Sequence, residues 1–240
     1  MKAIITFHSI DATNSVLSFH PKKFFHLIKS LIQSGIPILP LDELLDKNCS
    51  NGITLTFDDG MESVYTDALP VLKKFSVQSH LFLTTSVVGR ENNWLTQSHN
   101  SPRFKMMNWD QIFECASAGV SIDAHTHTHP KLNALTIQEI QDECLLCDEI
   151  IEKKMGRKPK YFAYPYGLRD ERVRRFISTR YTASATTFLG FLNENDDQSL
   201  LPRLDSYYLQ SNWLHSRINK PLGITYLKNR SLIRSIRRHQ

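Results

Sequence analysis

The sequence predicts an α/β fold with strands closing into a barrel, and three observations carry that expectation. Short apolar or β-branched runs alternate with stretches of helical periodicity from the first residues to about residue 205. Carboxylates and histidines stand where several of these runs end, at the edge where barrels and open α/β sheets hold their chemistry. The length of 240 residues, with no internal repeat and no linker, suits one domain over 1–240 with a basic tail from 226 to 240.

Taken in order, Met1-Lys2-Ala3-Ile4-Ile5-Thr6-Phe7-His8 reads as a first strand ending in a histidine. Behind Pro21, the residues Phe24, Leu27, Ile28, Leu31 and Ile32 recur at helical spacing until Gly35 stops the run. Ile36 to Leu39 reads as a short strand between Gly35 and Pro40, and Leu41 to Leu45 as a brief helical turn. Residues 53 to 57 suit a buried strand, which delivers Asp58-Asp59-Gly60. A helix near 62 to 74 and a strand at Ser79 to Leu83 follow. Residues 86 to 107 break the rhythm; so long an aperiodic polar stretch is expected to be functional or mobile. Asn108 can cap a helix carrying Ile112, Phe113 and Ala116, closed by Gly119, and Val120 to Ala124 is the next strand, with His125 at its end. Thr136 and Glu139 form a capping box for the longest helix, which runs to about Met155 before Gly156. A strand from Tyr161 to Tyr164 runs into Pro165-Tyr166-Gly167, and a helix over about 170 to 178 leads to a strand near Tyr181 to Ala185. Residues 190 to 199 form a polar loop, and Leu201-Pro202-Arg203-Leu204-Asp205 returns to the sheet, for a total of seven or eight strands.

Composition narrows the functional classes. With 41% hydrophobic and 22% charged residues the chain is expected to fold as a soluble protein, and no apolar run approaches the roughly 18 residues of a membrane span. Its apolar start is too short for a signal peptide, and Cys49, Cys115, Cys144 and Cys147 read as free thiols of a reducing compartment, so a cytoplasmic placement is expected. Much of the net charge of +5 sits at Lys228, Arg230, Arg234, Arg237 and Arg238. No broad basic field with interleaved aromatics accompanies it, which argues against nucleic acid as a partner. Two readings of the basic C-terminus stay open. One is a solvated last helix; the other, with Leu232, Ile233 and Ile236 on one side, is peripheral contact with an anionic membrane.

Two clusters carry the chemistry. Asp58 and Asp59 are adjacent at a strand end, where consecutive side chains aim differently and can hold different roles; the plain alternative is an Asp-Gly turn capping the next helix. In His125-Thr126-His127-Thr128-His129-Pro130 three histidines alternate just after a strand. If that segment makes a tight turn, His125 and His129 can face one point, and imidazoles suit a borderline ion such as zinc. One carboxylate of the Asp58-Asp59 pair would complete a two-histidine, one-carboxylate site, and the other would be free to take a proton from water acidified by the ion.

Thr56-Phe57-Asp58-Asp59-Gly60 and the block from Gly119 to Leu132 resemble the first two motifs of the polysaccharide deacetylase family, carbohydrate esterase family 4, and Phe162-Ala163-Tyr164-Pro165-Tyr166-Gly167 approximates the third. The similarity runs from about residue 3 to 208. It implies a distorted (β/α) barrel of about seven strands and a hydrolase that removes acetyl groups from glycans with a divalent metal, zinc or another transition metal such as cobalt or nickel. It matches Asp58 to the catalytic base, Asp59, His125 and His129 to the metal ligands, and the backbone N–H of Tyr166 to an oxyanion donor. Two departures stand out. Ala163 occupies a position where many members carry an arginine that orients the base, and the late leucine-x-histidine that supplies a general acid is not evident, although His215 has some of its look. The branch acting on β-1,6-linked N-acetylglucosamine polymers is the better likeness, since there an early strand ends in a histidine assigned as the acid, here His8. A structural histidine is the alternative for His8. Arg203, before the last strand, is a candidate to restore the positive charge beside Asp58, and His127 is expected to be a loop or groove residue.

The expected activity is therefore metal-dependent N-deacetylation of an acetamido sugar, as a glycan or a lipid- or nucleotide-linked saccharide, in surface-polysaccharide assembly. An amidase for other amides, and an inactive glycan-binding protein on the same fold, are the alternatives.

Overall fold

Seven parallel strands, β1 (Lys2–Phe7), β2 (Gly52–Asp59), β3 (Ser79–Leu83), β4 (Val120–Ala124), β5 (Tyr161–Ala163), β6 (Ala183–Leu189) and β7 (Leu201–Asp205), close into a barrel in chain order in the computed structural model. The structure describes residues 1–97 and 100–238; two residues of the 86–107 loop and the last two of the basic tail lie outside the described residues, as do the side chains of 237 and 238. Closure runs through β1, which pairs with β2 over six positions and with β7 at Ile5↔Leu204 and Thr6↔Asp205. The barrel is uneven: β4 and β5 share the single pair Ala124↔Phe162, and the β6–β7 register shifts between Ala185 and Leu189.

Strand alternation sorts the residues into two layers. Ile53, Leu55 and Phe57 of β2 pack with Ile5 and Phe7 of β1 under α1 (Pro21–Gln33), whose Phe24, Leu27, Ile28 and Leu31 are buried. Phe7 meets Phe24 edge-on at 5.2 Å and stacks on Phe57 at 5.5 Å. Thr54, Thr56 and Asp58 take the opposite phase, toward the barrel interior, where Ile4, Phe82, Ala163, Ala185 and Leu201 cluster with Leu41 and Leu44 of α2 (Leu41–Leu45). At the amino end, the Leu41 N–H donates to His80 Nε2 at 2.9 Å, and His80 Nδ1 lies 2.8 Å from Asp123, which also accepts from the Lys160 and Tyr161 amides. That polar stitch leaves the carboxyl end for chemistry.

The remaining helices are α3 (Leu69–Phe75), α4 (Trp109–Ser117), α5 (Ile137–Met155), α6 (Glu171–Arg180), α7 (Asn212–His215) and α8 (Pro221–Arg238). Capping boxes at Asn108/Gln111 and Thr136/Glu139 open α4 and α5, and Gly156 ends α5 in the left-handed region. The structure corrects two expectations, the strand at 36–39 and the bounds of the sixth strand. Ile36 to Leu39 forms no strand; Ile38 only bridges to Ile53, along the stretch of β2 below the point where β3 begins pairing. The helix expected near 62 to 74 does form, continuing from 62 to 75 through a π turn at Val64–Ala68 into α3, at the place where Pro70 lacks an N–H for the ladder. The sixth strand starts at Ala183 and runs on to Leu189. Most of the basic segment from 226 onward lies in α8, the last helix that the sequence offered, with Leu227 buried. Cys144 and Cys147, a C-x-x-C pair on α5, are free and buried, and burial raises both thiols above their ordinary range.

Candidate metal centre and active site

Five strands bring the expected residues to one place at the carboxyl edge: His8 after β1, Asp58 and Asp59 at the end of β2, His125 and His129 after β4, Tyr166 after β5, and Arg203 on β7. Backbone conformation aims them. Among the described residues, positive φ outside glycine occurs at Asp59 (73°), Thr126 (67°), His129 (57°) and Tyr166 (57°), and otherwise only at Ser76, which ends α3. Such residues cost about 1–3 kcal/mol each and persist where surrounding structure holds them. At Asp59 the left-handed turn breaks the strand alternation, so both carboxylates serve the same edge. Gly60 permits it, since a Cβ there would come within 2.7 Å of the Leu83 side chain.

Asp59, His125 and His129 form a buried triad. Asp59 Oδ1 lies 3.3 Å from His125 Nε2 and 3.4 Å from His129 Nε2. Zinc bonds of about 2.0–2.2 Å at tetrahedral angles hold adjacent donors roughly 3.3–3.5 Å apart, so the spacing fits a zinc-sized ion. Asp59 Oδ1 is buried and makes no hydrogen bond, an arrangement that an ion at the centre of the triad would satisfy. His125 Nδ1 sits 2.7 Å from the Ala163 carbonyl, which accepts its proton and leaves the Nε2 lone pair facing Asp59. Burial opposes the Asp59 charge, but contact with His125 and the nearby His129 and His8 hold that carboxyl well below the usual range. Burial pushes His129 down to about 3, which keeps it a neutral imidazole suited to ligation.

Asp58 has a different environment. Arg203 donates from Nη1 to Oδ1 and from Nη2 to Oδ2, both at 2.7 Å, and from Nε to the Thr186 carbonyl at 2.9 Å. Both side chains are almost fully buried. Desolvation works against the Asp58 charge, yet Arg203 outweighs it and holds the carboxyl below its ordinary value. Arg203 thus reaches the carboxylate from β7, with Ala163 on β5 offering only its backbone. His8 Nε2 stands 3.9 Å from Asp58 Oδ2 with its side chain one-quarter exposed, at the mouth of the site.

The structure separates the other two histidines from this centre. His215 on α7 is buried, with Nε2 2.7 Å from the Leu209 carbonyl and its ring 6.2 Å from Phe19. His127 Nδ1 contacts Thr85 Oγ1 at 2.9 Å and faces a side cavity rather than the triad.

Three features had escaped sequence reasoning. The Ala163 carbonyl is a backbone group, for which residue type gives no signal. Trp94, in the 86–107 stretch, lies over His129 at 4.3 Å between centroids and donates from Nε1 to Tyr166 Oη at 2.9 Å, while Thr96 donates to the His129 carbonyl. Ser9 bonds to Asp11 and to Ser63, and Ser63 accepts from the Ile10 amide at 3.0 Å, pinning the turn that follows His8. The cluster of serines beside an aspartate was the available signal. Cavities of about 590 and 730 Å³ flank the centre, one between the 86–97 segment and α5, the other between the turn after β1 and residues 102–105.

Comparison with known proteins agrees with this geometry. Residues 46–184 match the polysaccharide deacetylase family model. The family protein YxkH of Bacillus subtilis (strain 168) is 30% identical over 209 residues, covering 84% of this chain and 70% of that protein. The poly-β-1,6-N-acetyl-D-glucosamine N-deacetylase of Staphylococcus aureus (strain MSSA476) is 26% identical over 207 residues, covering 80% of this chain and 66% of that protein. The chain therefore spans about two thirds of the length of these curated relatives. Among solved structures, IcaB from Ammonifex degensii superposes with a TM-score of 0.75 at 23% identity over 89% of this chain and 96% of that one, a likeness of fold. Sequence, barrel and buried Asp-His-His triad lead to one assignment: the chain belongs to the polysaccharide deacetylase family.

Proposed function

We propose that the protein is a metal-dependent N-deacetylase of acetamido-sugar polymers, with β-1,6-linked N-acetylglucosamine chains as the first substrate to try. One observation carries the reading: a second carboxylate, Asp58, stands beside the Asp59-His125-His129 triad and is held by Arg203 rather than by the ligand set. Ion binding alone requires only the triad, and nothing in mere binding calls for a buried carboxylate–guanidinium pair next to it.

Asp59, His125 and His129 would hold the ion. When bound, zinc, cobalt or nickel there supplies Lewis acidity toward the acetamide carbonyl and lowers the pKa of water. Asp58 accepts the proton of the attacking water. The fork of Arg203 fixes its orientation but weakens it as a base, so the pair suits a proton donor that is already acidified. The Tyr166 amide is assigned to the oxyanion, in a turn whose left-handed backbone is stabilised by the Trp94 and Thr96 contacts of the Tyr166 hydroxyl. His8, at the open side, protonates the departing amine. The two flanking cavities and the Trp94 ring favour a chain of sugars over a small amide. The free thiols motivate, as part of the same proposal, action on a lipid-linked or nucleotide-linked saccharide from the cytoplasmic side of the membrane. No helix among the described residues is long and apolar enough to cross a membrane.

The test is acetate release from N-acetylglucosamine oligomers by protein loaded with zinc, cobalt or nickel. Asp58→Asn should keep the metal and lose turnover. Metal binding by the wild type without deacetylation across β-1,4- and β-1,6-linked oligomers would overturn the reading.

A further inference from the structure

Helix α8 divides its surface into two opposed stripes. Gly223, Leu227 and Ser231, four residues apart, face the barrel: a Cβ at Gly223 would strike the Arg217 carbonyl, Leu227 is buried, and Ser231 donates to the Leu189 carbonyl. On the opposite side, Leu222 (64% exposed), Ile233 (44%) and Ile236 (53%) line up at i, i+11 and i+14, with Leu232 (62%) beside them. Solvent-facing helix positions are ordinarily polar, so a stripe of four large aliphatic residues opposite the packed face calls for a covering surface.

Charge identifies that surface. From residue 206 to the end the sequence holds seven Lys and Arg residues and no Asp or Glu, more positive charge than the whole chain's net +5. Lys228 and Arg230 are exposed on α8, lateral to the apolar stripe, and Arg234 is anchored to Asp205 at 3.6 Å. Arg230 also lies over the Tyr208 and Tyr226 rings, and Trp213, packed on Tyr226 at 5.5 Å, is 40% exposed. An apolar stripe with basic flanks and amphipathic aromatics at its side is the pattern of a helix lying in a lipid interface. A second copy of this chain would bring two strongly basic segments together, which disfavours a self-contact.

We propose that α8 docks the protein on an anionic membrane surface, with Leu222, Leu232, Ile233 and Ile236 inserted among the lipids and the basic residues on the headgroups. The docked helix lies against the catalytic edge, since Ser231 and Arg234 are fixed to Leu189 and Asp205, the last residues of β6 and β7. Docking would therefore hold the site near the bilayer, where a membrane-borne glycan is presented; that consequence rests on the deacetylase reading, whereas the docking itself does not.

The experiment is co-sedimentation of the full chain with phosphatidylglycerol-containing and pure phosphatidylcholine vesicles, alongside Leu232→Glu/Ile236→Glu and Lys228→Glu/Arg230→Glu variants. These side chains are exposed, so the variants should fold and release acetate from a soluble oligomer within about twofold of wild type. Wild type should bind the anionic vesicles and not the neutral ones, and high salt should release it. Each double variant should lose about tenfold or more in vesicle affinity. Failure of wild type to bind, equal binding to neutral vesicles, or binding unchanged in the variants would overturn the proposal. So would a stable dimer that the Leu232→Glu/Ile236→Glu change dissociates. Vesicle binding is read without turnover, so a failed deacetylase assay and a failed docking assay are told apart.

Discussion

Replacing Arg203 by methionine isolates the most consequential contact in the site. Methionine roughly preserves the buried apolar stem while removing two charge-assisted bonds of 2.7 Å to Asp58 and the Nε bond to the Thr186 carbonyl. A buried carboxylate would then be left without its partner, a change that costs about 3–5 kcal/mol. At about 2–4 °C per kcal/mol for a chain of this size, Tm should fall by roughly 6–20 °C. Asp58 would also lose the guanidinium that keeps it ionised, so burial would favour its protonated form and remove the base, with a loss in kcat of about 10²–10⁴-fold. Metal content should stay near wild type, because Arg203 touches none of the triad.

The double variant Asp58→Asn/Arg203→Met separates the two effects. With both charges gone, no uncompensated carboxylate remains, so most of the lost stability should return while activity does not. Thermal unfolding, metal analysis and acetate release on the two single variants and the double variant give the complete cycle. Full turnover in Arg203→Met would refute the pairing argument, as would a double variant less stable than the sum of the singles.

His8→Ala should cost about 10²–10⁴-fold in turnover with metal content unchanged, read by acetate release and metal analysis. His215→Ala should stay within about threefold in turnover and instead lose about 1–3 kcal/mol of stability in denaturant titration, because it leaves the buried Leu209 carbonyl without its donor; the reverse pattern would move the general acid to α7. His125→Ala should lose metal and activity together, and its metal content decides the assignment. Chelation of the wild type should lower Tm by roughly 5–11 °C relative to protein with ion at about 100 times its Kd, about 2.7 kcal/mol of linkage. A Tm indifferent to chelator would sink the metal centre.

How much of this was legible depends on how local each signal is. The βα alternation, the Asn108 cap, the Thr136/Glu139 capping box and the strand ends at His8, Asp58 and His125 were readable because these signals act within a few residues. The two histidines were readable because His125 and His129 lie four apart after a strand, whereas the choice of Asp59 over Asp58 came from the family resemblance. Arg203 was a candidate by charge but was placed before the last strand, whereas it lies within β7; the sequence could not give the two-bond fork or show that β7 closes against β1 and brings it to Asp58. Ile36 to Leu39 failed as a strand because its partner edge is free only along the lower part of β2, a matter of register. The helix near 62 to 74 was readable too, and Pro70 marks where its ladder widens into the π turn at Val64–Ala68.

The remaining features are long-range or belong to the backbone. Trp94 reaches His129 across thirty-five positions of sequence, through a loop with no periodicity to place it. The Ala163 carbonyl orients His125 whatever side chain residue 163 carries. The contacts accommodate alanine there: β5 supplies only a backbone oxygen to His125, and the guanidinium beside Asp58 comes from β7. The positive charge that the family resemblance would place on the third motif stands here on β7, across the barrel closure. Arg203 thereby gives Asp58 both an ionised state and a fixed orientation, the two properties that the proposed proton abstraction beside the Asp59-His125-His129 centre would need.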